Sequence, residues 1–191
     1  GRREATGRGV MLVTLKTIER MHMTPENTRI AIQGAGNVGG AAARLLREKG
    51  CRIVALSDVT GGLYAESGLP VEEISAFLDR GGQLCDYDHP GVRHVDNHYV
   101  LTCDCDLLIP AALENQVTAS VARELHARVI VEAANGPTTV EADAILQNRG
   151  VLLVPDVLAN AGGVIVSYFE WVQNIQMLMW DLDQVNSMLE K

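Results

Sequence analysis

Lysine is scarce: 191 residues contain three, Lys16, Lys49 and Lys191. Aromatic residues are also few, with two Trp and two Phe, so any core must be aliphatic. There is no basic block, and the formal net charge is −8. That balance argues against a surface for nucleic acid or for an anionic membrane. No apolar run is long enough to span a bilayer, and no secretory signal is legible. The four cysteines, Cys51, Cys85, Cys103 and Cys105, fit neither a zinc spacing nor a CxxC pair. Cys103-x-Cys105 would need a strained bridge, so reduced thiols and a cytoplasmic location are the expectation. His89, His94 and His98 lie near Asp86 and Asp88, but their spacing fits no standard metal site.

What the chain has is aliphatic content, with apolar residues at 47%. At this length one domain should bury about 70% of its unfolded surface. The informative stretch is Arg29-Ile30-Ala31-Ile32-Gln33-Gly34-Ala35-Gly36-Asn37-Val38-Gly39. A short apolar run ends in Gly34-x-Gly36-x-x-Gly39, and a helical pattern carrying Val38, Ala41, Ala42 and Leu45 on one face follows at once. Strand, glycine turn and helix N-terminus in that order suit a dinucleotide pyrophosphate. Gly34 permits the turn, Gly36 lets the backbone approach phosphate, and Gly39 lets the helix pack on the strand. The free N–H groups and positive dipole end of the helix favour negative charge. A second apolar run, Cys51 to Ser57, ends at Asp58, nineteen residues after Gly39. An acidic residue there is placed for an adenosine ribose hydroxyl. Two alternatives stay open on these residues alone: a turn that binds nothing, and a different adenosyl compound such as S-adenosylmethionine.

The remaining pattern predicts a parallel sheet. An amphipathic helix carrying Met11, Leu15 and Ile18 precedes the first strand. Gly61 to Tyr64 reads as a small excursion with a short strand. Val71 to Arg80 reads as a helix with Ile74, Phe77 and Leu78 inward. Residues 83–104 are polar and resist assignment. Leu107 to Ile109, Val129 to Val131 and Val151 to Val154 read as buried strands. Val117, Val121 and Leu125 share a helical face, and Thr138-x-x-Glu141 reads as a capping box. Five strong strands alternating with helices predict an α/β fold, a doubly wound, mostly parallel sheet of Rossmann type, as one domain over residues 1–191. Ala161 to Lys191 reads as one long C-terminal helix with an apolar seam of Trp171, Ile175, Leu178, Met179 and Leu182. That seam packs either on its own domain or on a partner.

Ligands of such sheets sit beyond the strand carboxyl ends. Pro110-Ala111-Ala112, Glu132 to Pro137 and Asp156 to Gly163 follow three of the strands. Asn135 and Asn160 each carry a donor and an acceptor suited to a carboxamide or to ribose hydroxyls, though Asn also serves as a turn or cap residue.

At this point a family pattern becomes visible. Its blocks are Gly1-Arg2…Ala5-Thr6-Gly7-Arg8-Gly9-Val10, Gln33-Gly34-x-Gly36-Asn37-Val38-Gly39, Ser57-Asp58, Asp106 to Gln116, Ala134 to Thr139 and Pro155-Asp156…Asn160 to Val164…Ser167 to Trp171. In this order they resemble the coenzyme-binding domain of glutamate dehydrogenases, in the superfamily that also holds leucine, phenylalanine and valine dehydrogenases. The resemblance implies that Thr6 and Asn160 hold the nicotinamide carboxamide. The turn Gly34, Gly36, Asn37, Val38 and Gly39 would receive the pyrophosphate, and Asp58 would meet the adenosine ribose. Ala111 and Asn135 would line the nicotinamide ribose, and Ser167 would help bind the side-chain carboxylate of glutamate. Ser-Tyr-Phe-Glu-Trp favours the glutamate branch.

The family's acid–base chemistry rests on a lysine and an aspartate in a separate N-terminal domain. None of the three lysines here lies at a strand carboxyl end. The resemblance therefore implies a fragment: catalytic residues absent, the C-terminal end shortened, no metal, and L-glutamate, 2-oxoglutarate and a homo-hexamer belonging to the parent protein. NAD is expected, because Asp58 would repel a 2′-phosphate and no Arg or Lys follows soon after; NADP remains possible. Two other readings are a non-catalytic nucleotide-binding module and a dehydrogenase of an apolar amino acid.

Overall fold

Helix and strand alternate along the chain, whose structure, a computed structural model, describes residues 4–190. Helix α1 (Ala5–Arg20) leads to β1 (Arg29–Gln33), α2 (Asn37–Glu48) and β2 (Arg52–Asp58). An excursion follows through β3 (Gly61–Tyr64), α3 (Val71–Asp79), β4 (Arg93–Val95) and α4 (Asn97–Thr102). The chain then returns through β5 (Leu107–Pro110), α5 (Ala119–Glu124), β6 (Val129–Val131), α6 (Val140–Asn148) and β7 (Leu152–Val154). Three helices close it: α7 (Asp156–Ala159), α8 (Gly162–Gln176) and α9 (Leu182–Glu190).

The seven strands lie in the order β4-β3-β2-β1-β5-β6-β7. Strands β2, β1, β5, β6 and β7 are parallel, while at one edge β3 runs antiparallel to β2 and β4 antiparallel to β3. The five strands expected from sequence are the five parallel ones. They read as continuous apolar runs because both faces are covered. Ile30, Ile32, Leu107, Ile109, Val129 and Val131 enter the core on one face. The intervening Ala31, Leu108 and Ile130 enter the core on the other. Full burial of each such aliphatic side chain contributes about 1.5–3 kcal/mol. The chain winds outward from β1 to one side and returns to its other side at β5, so the order reverses beside β1. That reversal leaves a crevice at the carboxyl ends of β1 and β5.

Several expectations are corrected. The C-terminal tail is two helices. Helix α8 ends at Met177, a non-glycine residue with φ 51°. Asp181 then starts α9: its Oδ1 accepts the Gln184 N–H at 2.7 Å, and Gln184 Oε1 accepts the Asp181 N–H at 3.1 Å. This reciprocal cap breaks the helix. Trp180, Val185 and Leu189 fold back onto Ala5, Val166 and Phe169. The expected seam does not do that packing, since Trp171, Ile175 and Met179 are exposed. The cap of α6 also lies one residue later than Thr138. Thr139 Oγ1 accepts the Ala142 N–H at 3.2 Å, and Thr138 instead pairs through its backbone with Val117. Val117 therefore precedes α5 rather than lying on it. The segment 83–104, unassigned from sequence, holds β4 and α4, the latter capped by Asp96 accepting from Tyr99 N–H at 2.6 Å. All four cysteines are free. Burial pushes the Cys51 thiol up to about 11, with Glu26 adding to the effect.

Helix α1 begins at Ala5, so Gly7 and Gly9 lie inside a helix. Glycine there costs roughly 0.5–1 kcal/mol relative to alanine. Packing is the reason for it. A Cβ on Gly7 would stand 2.6 Å from Ala41 Cβ and 3.0 Å from the Val38 carbonyl on α2. A Cβ on Gly9 would stand 3.0 Å from the Gly162 Cα on α8. Gly7→Ala is expected to lower stability by about 1–3 kcal/mol despite its better helix propensity, read by thermal or urea unfolding. An unchanged or raised midpoint would contradict the close crossing.

The amino ends of β1 and β5 are joined by ions. Arg29 donates to Asp104 Oδ2 at 2.7 Å and to Asp106 Oδ2 at 3.3 Å. Its guanidinium holds the Asp104 carboxyl below the ordinary carboxylate range through that hydrogen bond. A lowered folded-state value means the contribution is present above the unfolded value of about 4 and is lost as pH falls below it. Asp104→Asn should therefore reduce the acid-induced loss of stability between about pH 4 and pH 2, measured by denaturant unfolding across pH. The effect is small because the pair is exposed.

Candidate functional site

The crevice begins at the glycine turn. Gly34 has φ +102°, a conformation that favours glycine, and its N–H donates to the Ser57 carbonyl at 2.9 Å. A Cβ there would meet the Ala111 carbonyl at 2.8 Å. Gly39, in the first turn of α2, lies so close that a Cβ would collide with the Gly34 carbonyl oxygen. Gly36 differs: a Cβ would meet nothing within 4 Å. Two of the three glycines thus serve protein packing, and the third faces open space. Gly36 also caps α2 with no side-chain hydrogen bond, which leaves the first amides of the helix directed outward. Asn37 and Val38 occupy its first two positions.

Two hollows extend from this turn. One of about 620 Å³ is bordered by Gly34, Gly36, Asp58, Leu78, Asn97 and Ala111. The other, about 650 Å³, is bordered by Thr6, Val38, Ala111, Asn135, Asn160 and Gly163. They share Ala111, Ala112 and Leu113, the loop after β5. Each lies in the ordinary size range of ligand sites. Among the described residues no lysine or arginine lines either one. Any phosphate held here would be met by backbone N–H groups and the helix dipole. A further hollow behind the turn, between α2 and α3, is bordered by Gly36 and Asn37 and by the charged Glu4, Arg44, Glu72 and Asp79, with Arg44 paired to Glu4.

Of the residues singled out from sequence, Thr6, Gly34, Gly36, Val38, Asp58, Ala111, Asn135 and Asn160 line one hollow or the other, Asn37 and Gly39 lie beside them in the first turn of α2, and one residue stands apart. Asp58 ends β2 and Thr6 lies in the first turn of α1. A Cβ on Gly163 would collide with the Thr6 hydroxyl, so α1 and α8 meet there. Asn160 Nδ2 donates to Asn135 Oδ1 at 2.7 Å, joining the loops after β6 and β7. Ser167 is the exception: it lies one turn beyond Gly163 on the same side of α8, partly buried and outside both hollows.

Sequence reasoning gave no role to three supports of this crevice. Glu132, buried at the end of β6, accepts the Asp156 N–H at 3.1 Å, and Asp156 Oδ2 accepts the Gly136 N–H at 2.8 Å. These bonds set the two loops that carry Asn135 and Asn160. Gln33, 2% exposed at the end of β1, donates to Gln116 Oε1 at 2.9 Å, and its own Oε1 has no partner. A buried polar residue ending an apolar strand was the available signal. Thr60 and Leu84 hold the Asp58 carboxylate. Among the described residues no group of three His, Cys, Asp or Glu could hold a metal ion.

The sequence profile described as Glutamate/Leucine/Phenylalanine/Valine dehydrogenase matches residues 1–191. The chain belongs to this family. Glutamate dehydrogenase A2 of Halobacterium salinarum is 52% identical over 187 residues, covering 97% of this chain and 44% of that protein. A glutamate dehydrogenase of Thermotoga maritima is 48% identical, covering 100% of this chain and 46% of its own length. The chain thus spans less than half the length of these curated relatives. At 43% identity there are both an NADP-specific enzyme from Synechocystis and an NAD-specific one from Bacillus subtilis. Among solved structures, the hetero-hexameric glutamate dehydrogenase of Thermus thermophilus, in its Leu-bound form, superposes with a TM-score of 0.89 at 34% identity. That superposition covers 100% of this chain and 44% of the other. The mostly parallel sheet and its helices are thus the family's α/β fold.

The turn separates packing from ligand approach, and this can be checked. Gly39→Ala should lower stability by more than about 3 kcal/mol, since its Cβ meets backbone that cannot move freely. Gly36→Ala should leave stability within about 1 kcal/mol of the parent chain. Thermal unfolding of both variants reads the contrast, and equal losses would contradict it.

Proposed function

We propose that this chain is the coenzyme-binding part of a glutamate dehydrogenase, which oxidatively deaminates L-glutamate to 2-oxoglutarate and ammonia with NAD or NADP. One observation carries the reading beyond family membership. Two hollows, one beside the Gly34–Gly36 turn and Asp58 and one beside the Asn135–Asn160 pair, meet at Ala111–Leu113, which offers room for two nucleoside halves about one pyrophosphate. A single adenosyl group would leave the Asn135 end unexplained. The free face of Gly36 and the uncapped α2 amides suit the pyrophosphate, and Asp58 suits the adenosine ribose. Because Asn160 Nδ2 is bonded to Asn135 Oδ1, Asn160 keeps its oxygen and Asn135 its amide protons. With the Thr6 hydroxyl, they supply an acceptor and donors for a carboxamide and a ribose. Ala111 would line the nicotinamide ribose beside Asn135, and Ser167 would reach the glutamate side-chain carboxylate from α8.

When bound, the nicotinamide accepts a hydride from the substrate α-carbon. The protein's part is to fix the ring, exclude water and move protons. Among the described residues no lysine lines either hollow, and the chain spans less than half the length of its relatives, so the reading assigns the proton-transfer groups and the substrate α-carboxylate site to a second domain of the intact protein. Closure of two domains over the ring would exclude water. The intact protein is proposed to be a cytoplasmic homo-hexamer. Among the described residues no helix is long and apolar enough to cross a membrane.

Titration calorimetry tests the reading. The chain is expected to bind NAD and NADH, to show no glutamate turnover alone, and to prefer NAD over NADP. Gly36→Ala should weaken NADH binding by about tenfold or more while the fold is retained, since its Cβ stands where backbone meets phosphate. Undiminished binding by that variant, or turnover by the chain alone, would overturn the assignment.

A further inference from the structure

The Asp58 carboxylate is already engaged. Its Oδ1 accepts the Thr60 N–H at 2.7 Å and the Thr60 hydroxyl at 2.6 Å. Its Oδ2 accepts the Leu84 N–H at 3.3 Å. The Thr60 oxygen in turn accepts the Cys85 N–H at 3.2 Å, tying the segment before β4 to the end of β2. Asn97 Nδ2 donates to the Asp58 carbonyl at 2.9 Å and fixes the backbone beneath. An ionised carboxylate offers about four lone-pair positions. Three are filled, which leaves one, on Oδ2. Each donor also offsets part of the negative charge. Among the described residues no lysine or arginine lines this end of the crevice, so these donors are the main local compensation.

We propose that Thr60 is the positioning residue that sets coenzyme specificity here: its hydroxyl, held against Asp58, weakens rejection of a 2′-phosphate and limits the carboxylate to one ribose hydroxyl. This rests on the coenzyme assignment above. The Thr60 hydroxyl and the Thr60 and Leu84 amides form a cluster of donors that suits an anion. In the chain as it stands, Asp58 supplies that anion. A coenzyme with a 2′-phosphate brings a second one to the same place. With the hydroxyl present, the combined charge is shared among three donors. Without it, Asp58 is less compensated and repels the phosphate more strongly. A coenzyme lacking the phosphate meets no such repulsion, and the loss opens an acceptor position on Oδ1 for its ribose. One hydroxyl therefore acts in opposite directions on the two coenzymes. The sequence reading, in which Asp58 repels a 2′-phosphate and NADP remains possible, took no account of these donors.

The test is calorimetric measurement of Kd for NAD and NADP, at one ionic strength, on the parent chain, Thr60→Val and Thr60→Ser. Thr60 is partly exposed, and valine preserves its shape. The ratio of the NADP Kd to the NAD Kd should rise about tenfold in Thr60→Val, the worth of one hydrogen bond to a charged group. Thr60→Ser should restore the parent ratio. An unchanged ratio, a parallel weakening of both coenzymes, or failure of serine to restore the ratio overturns the proposal. Asp58→Ala supplies an independent check. In that background Thr60→Val should no longer shift the ratio, and a persisting shift would mean that Thr60 acts without Asp58. Failure of the parent chain to bind either coenzyme would instead overturn the assignment on which the proposal rests.

Discussion

Backbone meets backbone where β1 turns into α2, and the rest of the crevice depends on that approach. Gly34 crosses against the Ala111 carbonyl, and Gly39 closes on Gly34. No side chain fits between them. The consequence is geometric: α2 starts almost on top of the ends of β1 and β5, at the point where the strand order reverses. Its unpaired amides therefore open into the crevice instead of onto a flank of the sheet. Ala111, pressed beneath the turn, then becomes the shared wall of the two hollows.

This arrangement explains how an acidic chain with few lysines can be suited to a diphosphate. Among the described residues no cationic side chain lines either hollow, and formal net charge is −8. Fixed dipoles substitute for mobile charge. They are already oriented, so little order is lost when an anion arrives, and they carry no countercharge that must be desolvated. The same economy governs Asp58, whose charge is offset by a hydroxyl and two amides rather than by a basic residue. Selectivity at such a site depends on small numbers of hydrogen bonds, which is why a single threonine can matter.

Much of this was legible in the sequence, for identifiable reasons. The five parallel strands announce themselves because burial on two faces makes them mostly apolar, with buried polar residues such as Gln33 and Ser57 only toward their carboxyl ends. The glycine spacing and Asp58 are local features whose order along the chain is also their order in space. Asn135 and Asn160 could be placed at one edge because parallel strands put every carboxyl end on the same side. The misreadings share a different cause. The break at Met177 has no glycine or proline to mark it, and the Asp181-x-x-Gln184 cap lies inside an apolar stretch that reads as one helix. Thr138 and Thr139 are chemically equivalent, and only the strand-like pairing of Val117 with Thr138 decides which of them caps α6. The polar segment 83–104 gave no periodicity because β4 and α4 are short and mostly exposed on one side. Gln33, Thr60 and Glu132 have partners 83, 25 and 24 residues away, at Gln116, Cys85 and Asp156, a pairing no local pattern encodes.

Helix α1 joins these parts. Its Gly7 lies against Val38 and Ala41 of α2, and its Gly9 lies against Gly162 of α8. Thr6, between those crossings and the crevice, touches Gly163. One rigid helix thus spans from the turn suited to phosphate to the edge suited to the redox ring. A shift of α8 would be felt at α2 through two glycine contacts with no compressible side chain between them. Close-packed contacts of this kind transmit displacement rather than absorb it. The helix that sequence reading treated as a lead-in to the first strand is therefore the element that fixes the distance between the two ends of the site, and glycine at positions 7 and 9 is what allows it to do so.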